Sequence, residues 1–401
     1  MAEASDKARF YLEQIVPELR EYERKKIFSK EEIASIAKKR SDFEHKINAR
    51  GPQPSDFAKY AEYEMNLDAL RRKRIKRLGV KSTQMHTGQR RVFFILDRAT
   101  RKFHGDISLW MQYIEYARRQ RAFKKLDHIL TSALRLHPTQ VELWIYAARY
   151  ALEDHADMLQ ARSYMQRGLR FCKNSKLLWL QYAKLEMIYI SRIAARQKIL
   201  GIDGSRKAVP EVEMGDGDSN ADMIKLPQVT GEDINPTTDT DEANQQALQT
   251  LNNTPALSGA IPIAVFDAAM GHFGNDDALG CDFYNMICEF EGTPCMRRVL
   301  EHVVESMITK CPLSARAQVC HIRFPVAGVP PTSADFPRAF AMSLTRLKEH
   351  SKDGLTVALA EEVAKWLRPL VAISDLDPAL CKVLRSTLGS AERVIKPPQA
   401  G

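Results

Sequence analysis

This sequence has little of what marks a secreted, membrane-bound or catalytic protein. It holds seven cysteines, an odd number without paired framework spacing, which points to a reducing intracellular compartment. No C-x-x-C occurs, so a zinc site of that kind is not expected. No apolar run approaches the roughly 18 residues that a bilayer span needs. The opening MAEASDKARFYLEQ lacks the apolar stretch of a signal peptide, and the expectation is a soluble cytosolic or nuclear protein. Proline and glycine are sparse, 19 of each, and concentrate in a few segments. No P-loop, Rossmann glycine pattern, G-x-S-x-G or H-E-x-x-H is present, and the ten histidines are scattered without a recurrent acidic partner. Nothing in the sequence argues for an enzyme, a cofactor or a small-molecule substrate.

What the chain does have is length and apolar content. Its 401 residues suffice for two or three ordinary domains or one extended repeat array, and 44% hydrophobic residues suffice for a large core. The formal charge of +9 comes from 59 basic and 50 acidic side chains. Between Asp203 and Glu242 acids outnumber bases, so the remainder is more basic than the total suggests. Such a balance suits work beside nucleic acid but is a weak signal alone.

Internal recurrence is the strongest signal. Trp110, Trp144 and Trp179 lie 34 and 35 residues apart and open the phrases LWMQYIEYA, LWIYAARYA and LWLQYAKLE. A small residue recurs at the same interval: Ala99, Ala133 and Gly168, again 34 and 35 residues apart. The two markers alternate, which predicts units of a helix A carrying the Trp and a helix B carrying the small residue. Trp110, Tyr113 and Ala117 share one helix face, as do Trp179, Tyr182 and Glu186. Phe57, Tyr60 and Glu64 give an earlier, weaker copy. On helix B the small residue lets the neighbouring helix approach, and Pro138 follows where one helix must end. One such pair cannot bury its apolar face alone, whereas stacked pairs can, and the fold class expected is an all-α solenoid.

The phrase W-x-x-Y-x-x-x-E on helix A (Trp179, Tyr182, Glu186) and Arg162, Met165, Arg167, Gly168, Leu169 on helix B resemble the half-a-tetratricopeptide (HAT) pattern. Ala147 stands where Tyr is usual, and Ala117 where Glu is. The N-terminal segment narrows the resemblance: Leu12, Glu13, Pro17, Glu18; then Phe28, Ser29, Lys30; then Lys38 to Glu44; and more loosely Tyr60, Tyr63, Glu64, Leu70, Arg72 and Arg74. These resemble the opening of the HAT-repeat subunit of the UTP-B complex of the small-subunit processome, the U-three small nucleolar RNA-associated protein 6 family. The resemblance implies a right-handed, tetratricopeptide-like solenoid of HAT repeats with an N-terminal helical cap. It further implies a nucleolar scaffold whose partners are WD40 β-propeller subunits of UTP-B, pre-rRNA and a small nucleolar ribonucleoprotein. HAT scaffolds of splicing and mRNA 3′-end formation share the repeat but lack this leader.

Along the chain, residues 1–50 are expected to form a helical leader, an antiparallel pair with Ser29 and Glu32 as a capping box and Gly51-Pro-Gln-Pro as its end. Residues 54–200 carry HAT repeats; 203–258, rich in Gly, Asp, Asn, Thr and Pro, read as an acidic, disordered insertion that splits one repeat. Helix B resumes at Ile261–Met270, and Cys281–Glu291 and Met296–Ile308 form the next pair within 259–324. The 35 residues from Ala268 to Val303 suggest that the frame survives the insertion. Two or three helices close the array over 332–395.

Arg71, Arg72, Lys73, Arg74, Lys76 and Arg77 place six cations in seven residues, leaving Ile75 and Leu78 for packing. With Arg90, Arg91, Arg101 and Lys102 nearby in sequence, they are the first candidates for phosphate contact, sequence-independent and salt-sensitive, or for an acidic protein partner. Arg118, Arg119, Arg121, Lys124 and Lys125 form a second, weaker cluster in an A–B turn. The three repeat tryptophans are expected in the core rather than stacked on RNA bases. Cys281, Cys288 and Cys295, spaced by seven, and Cys320 beside His321 read as buried small hydrophobes rather than metal ligands.

Overall fold

A computed structural model describes residues 2–79, 86–199, 257–351, 354–373 and 376–395. The insertion read over 203–258 lies outside these up to residue 256. Among the described residues every regular element is helical, and consecutive helices pack pairwise as in a helical repeat solenoid. None of the described helices is long and apolar enough to cross a membrane. The chain divides into two compact units, Met1–Ala147 and Ala148–Gly401.

The first unit opens with α1 (Ala2–Glu13), α2 (Val16–Arg24) and α3 (Lys30–Asn48), three helices where the sequence suggested a pair. Pro17, in the first turn of α2, has no N–H to continue the ladder from α1, which is why the chain breaks there. Ser29 caps α3 as expected: its hydroxyl accepts from the Glu32 amide at 3.2 Å, and Glu32 accepts from the Ser29 amide at 2.9 Å. Then follow α4 (Pro54–Leu78), α5 (Thr87–Lys102), α6 (Ile107–Arg119), α7 (Phe123–Leu136) and α8 (Val141–Glu153), within which the unit boundary falls.

The second unit continues with α9 (Met158–Phe171) and α10 (Lys176–Ile199), then α11 (Ala260–His272), α12 (Asp277–Cys288), α13 (Met296–Lys310) and α14 (Ala315–Arg323). A short 3-10 turn (Phe324–Val326) leads to α15 (Phe336–His350), α16 (Val357–Val371) and α17 (Pro378–Ile395). Val319 and Ile322 of α14 pack with Phe336, Phe340, Val363 and Leu384 in one apolar cluster at the end of this unit.

The repeat is built from one turn used again and again. Phe103, His137, Cys172 and Cys311 end their helices with φ of −115, −124, −116 and −134° and ψ of 56, 59, 48 and 61°. Each donates its amide to the carbonyl four residues back, on Ala99, Ala133, Gly168 and Met307, at 2.8 Å. Three residues later Asp106, Gln140, Ser175 and Ser314 return an amide to the same residue's carbonyl at 3.0 to 3.2 Å. The side chain at the fourth position of the next helix locks this turn. Trp110, Trp144 and Trp179 donate Nε1–H to the carbonyls of His104, Pro138 and Lys173, six residues upstream, at 3.0, 2.8 and 3.1 Å. Gln318 does the same to Pro312 at 3.0 Å. Trp110 and Trp144 are buried, while Trp179 is half-buried and stacks on His272. Phe57, Tyr60, Tyr113 and Tyr182 lie buried on the same helix faces, and Ala99, Ala133 and Gly168 are buried on the B helices.

After the insertion the frame shifts. Ala268 is exposed, and its neighbour Ala269 occupies the buried place. From Phe273 to Cys311 the interval is 38 residues rather than 35. The longer turn through Gly292 and Thr293 between α12 and α13 takes up the difference. At the Trp position of α12 stands Gly280, where an added Cβ would lie 2.9 Å from the Met307 sulphur, so Met307 fills the space an indole holds elsewhere.

His321 Nδ1 and His350 Nε2 face each other at 2.9 Å, an arrangement that requires at least one neutral ring. Burial, with Arg346 and His350, pushes His321 down to about 4, and burial likewise lowers His350. A histidine whose folded value lies below the ordinary 6.5 stabilises the fold above that pH and loses its contribution as pH falls toward 4. The second unit should therefore lose thermal stability between pH about 6.5 and 4. The variant His321→Gln should flatten that part of a Tm-versus-pH curve, and an unchanged slope would contradict the assignment.

Candidate nucleic-acid and partner interface

The six-cation run occupies the last turns of α4, where basic side chains suit the negative end of the helix dipole. Gly79 closes the helix in the left-handed region at φ 63°. The structure divides the run by helix face. Arg71 is 2% exposed, with Nε and Nη2 on Asp68 Oδ1 at 3.1 and 2.7 Å. Arg74 makes a two-pronged bond to Glu32 at 2.7 Å each, donates to the Ile27 carbonyl at 3.1 Å and lies 4.7 Å over the Phe28 ring. Through these bonds it ties α4 to the α2–α3 turn. Arg91 donates to Glu18 at 2.7 Å. A carboxylate of a neighbouring turn or helix thus claims each of these guanidiniums, with Arg71 buried and Arg74 and Arg91 half-buried. Lys102, an exposed residue, donates to the Ile47 carbonyl at 3.2 Å.

Lys73, Lys76 and Arg77 are exposed and make no ion pair among the described residues. Arg72 is partly outward, held by Asp68 at 2.7 Å and Gln120 at 3.3 Å. Arg90 is exposed on α5 and lines an open groove of about 700 Å³ with Phe94, Arg101, Lys125 and His128. In the second cluster, Arg119 pairs with Glu115 on its own helix, and Lys125 lies 4.2 Å over the Phe93 ring. Burial lowers Lys125 from the ordinary lysine value, against the pull of Asp97. Arg121 in the turn and Lys124 in the first turn of α7 remain exposed.

Arg71 and Arg91 belong to a buried charge network that was not legible in the sequence. Arg40 of α3, 1% exposed, makes a two-pronged bond to Glu64 of α4 at 2.7 and 2.9 Å. Glu18 faces Arg40 at 3.6 Å and also accepts from Arg91 and from the Tyr22 hydroxyl. Arg98 of α5 bonds Glu44 of α3 at 3.0 Å and lies 4.2 Å over the Tyr11 ring of α1. Glu18, Glu44, Glu64 and Asp68 thus answer Arg40, Arg71, Arg91 and Arg98 inside the first unit. Burial alone would raise Glu18, but Arg40, Arg91 and the Tyr22 hydroxyl together hold it below the usual carboxylate range.

The same bond recurs in the second unit, where Arg162 Nε and Nη2 hold Glu186 at 2.7 Å each. Arg40 precedes Glu64 by 24 residues, and Arg162 precedes Glu186 by the same 24. Helix α3 is therefore in register with the repeat as a helix B, with Arg40 at the place of Arg162. At the corresponding places of the next pair stand Phe93 and Ala117, both buried, so an apolar contact replaces the ion pair there.

Comparison with known proteins bears on the segment that holds this network. Residues 12–93 match the family described as U3 small nucleolar RNA-associated protein 6. That stretch contains Glu18, Arg40, Glu44, Glu64, Asp68, Arg71 and Arg91 together. A protein of this name in Schizosaccharomyces pombe is 36% identical over 237 residues, 57% of this chain and 49% of that protein. The homolog of Mus musculus is 32% identical over 217 residues, covering 53% of this chain and 35% of the relative. The homolog of Homo sapiens is 32% identical over 189 residues, 45% and 31% respectively. The chain spans about half the length or less of these U3-associated relatives.

Proposed function

We propose that this chain is a non-catalytic scaffold subunit of a nucleolar pre-ribosomal complex that supports 18S rRNA maturation and small-subunit assembly. The match of residues 12–93 to the U3 small nucleolar RNA-associated protein 6 family carries the reading. The stacked helices support it, since a helical repeat offers long surfaces to several partners and repeats no catalytic constellation. In this reading the partners are WD40 β-propeller subunits of UTP-B, together with pre-rRNA and the small nucleolar ribonucleoprotein, and the repeats are of HAT type. Holding several partners at once raises their effective concentrations without any chemistry. Depleting the protein and pulse-labelling ribosomal RNA tests this: 18S maturation should stall at its precursors, and unchanged 18S synthesis would contradict the proposal.

A second reading concerns direct contact with RNA phosphates, favoured by the exposed Lys73, Lys76, Arg77 and Arg90. Reversing these four to Glu should lower pre-rRNA crosslinking about tenfold or more at physiological salt and flatten its salt dependence. Co-purification of the protein partners should be retained. If co-purification is lost while crosslinking persists, the face docks protein instead.

A further inference from the structure

Helices α12 and α14 pack together, and their contact brings Cys281 and Cys320 side by side. Arg323, three residues after Cys320, bonds Asn285, four residues after Cys281, and this cross-helix bond sets the two thiols against each other, close enough for each to alter the other's ionisation. Asn285, one turn along α12, directs its amide Nδ2 to the Cys281 sulphur at 3.6 Å. Arg323 in turn donates to Asn285 Oδ1 at 3.0 Å and lies 5.2 Å over the Tyr284 ring, which fixes its cation beside the sulphurs. The two cysteines differ in access: Cys281 is half-buried, whereas Cys320 is 0% exposed. One sulphur therefore faces solvent with donors around it, and the other waits behind it.

We propose that Cys281 and Cys320 form a peroxide-oxidisable thiol pair, with Cys281 the attacking sulphur and Cys320 the resolving one. The Cys281 thiolate attacks one oxygen of a hydroperoxide, the O–O bond breaks, and the departing hydroxide takes a proton to leave as water. Cys281 is then a sulfenic acid. The Cys320 sulphur attacks the Cys281 sulphur, the S–O bond breaks, and the leaving hydroxide carries off the Cys320 proton as a second water. Two thiols thus lose two electrons in all and peroxide gains them. The sulphurs close to about 2.05 Å in the product, a staple between α12 and α14.

Several features of the site serve this chemistry. The Cys320 thiol, opposed by burial and aided by Arg323, lowers Cys281 below the ordinary thiol value, which favours its thiolate. Cys288, on the same face, is instead raised by burial, which leaves it a poor nucleophile. Cys311 donates to the Asn275 carbonyl at 3.2 Å, and Cys381 is half-buried in another helix, so both serve as internal comparisons.

The test treats the reduced full chain with one equivalent of hydrogen peroxide at pH 7, with and without dimedone, followed by digestion and mass spectrometry. In the unsubstituted protein a Cys281–Cys320 linked peptide should form about tenfold faster than any adduct at Cys311 or Cys381. In Cys320→Ala the link is absent and dimedone labels Cys281. In Cys281→Ser neither the link nor a Cys320 adduct forms. Oxidation of Cys281 no faster than Cys381, or linkage to another cysteine, would overturn the proposal, and the mapping on unsubstituted protein decides it even if a variant fails to fold.

Discussion

Replacing Arg40 with methionine is expected to destabilise the first unit by about 3–5 kcal/mol, the cost of removing one partner from a buried ion pair. Glu64 is 1% exposed and Glu18 is 5% exposed, so neither carboxylate can find water when the guanidinium goes. The second substitution Glu64→Leu, made on the Arg40→Met background, should restore most of the loss. Two apolar side chains can fill the space once no stranded charge remains, and Glu18 keeps Arg91 and Tyr22. Hydrogen exchange at the amides of α3 and α4 measures the effect directly, because opening of these helices reports on the first unit alone. A loss below about 1 kcal/mol would mean that the network is solvated rather than buried. Acid acts on the same network. Because its partners depress Glu18, its contribution is present above the ordinary glutamate value of 4.5 and is lost as pH falls through the folded value, so exchange in α2 and α3 should accelerate below pH 4.5.

The tryptophans should show a graded response that follows burial. Trp144→Ala is expected to cost about 3–5 kcal/mol, since the side chain is 1% exposed and its removal leaves a cavity. It also leaves the Pro138 carbonyl without its 2.8 Å donor. Trp144→Phe keeps most of the ring and loses the hydrogen bond, for about 1–2 kcal/mol. Trp179→Ala should cost less than Trp144→Ala, because Trp179 is half-buried. Thermal unfolding of the three variants ranks them. Equal costs at Trp144 and Trp179 would contradict the grading by burial, and a loss of RNA binding without a loss of stability would return the rings to the surface.

The helical repeat was legible because its markers sit at fixed spacing and are of rare residue types, Trp110, Trp144 and Trp179 above all. Arg162 and Glu186 were legible as pattern residues, but their pairing was not, since 24 residues separate them along two different helices. The same spacing between Arg40 and Glu64 was in the sequence and would have placed α3 in the repeat. It was masked by the absence of Trp and of the small residue from that helix pair. The basic run misled for a physical reason. Counting cations around a helix takes no account of carboxylates arriving from elsewhere. Asp68, three residues before Arg71, was visible as a partner. Glu32, forty-two residues before Arg74, and Glu18, seventy-three before Arg91, were not. Helix α14 escaped because its capping Ser314 follows a repeat lengthened to 38 residues, outside the 35-residue frame.

Affinity purification of the tagged protein from nuclear extract, read by mass spectrometry for proteins and by hybridisation for RNA, tests the central claim most directly. WD40 β-propeller proteins of the pre-ribosomal complex should be recovered together with U3 small nucleolar RNA and unprocessed pre-rRNA. Recovery of splicing or mRNA 3′-end factors without that RNA would contradict the account, leaving a helical scaffold that serves a different particle.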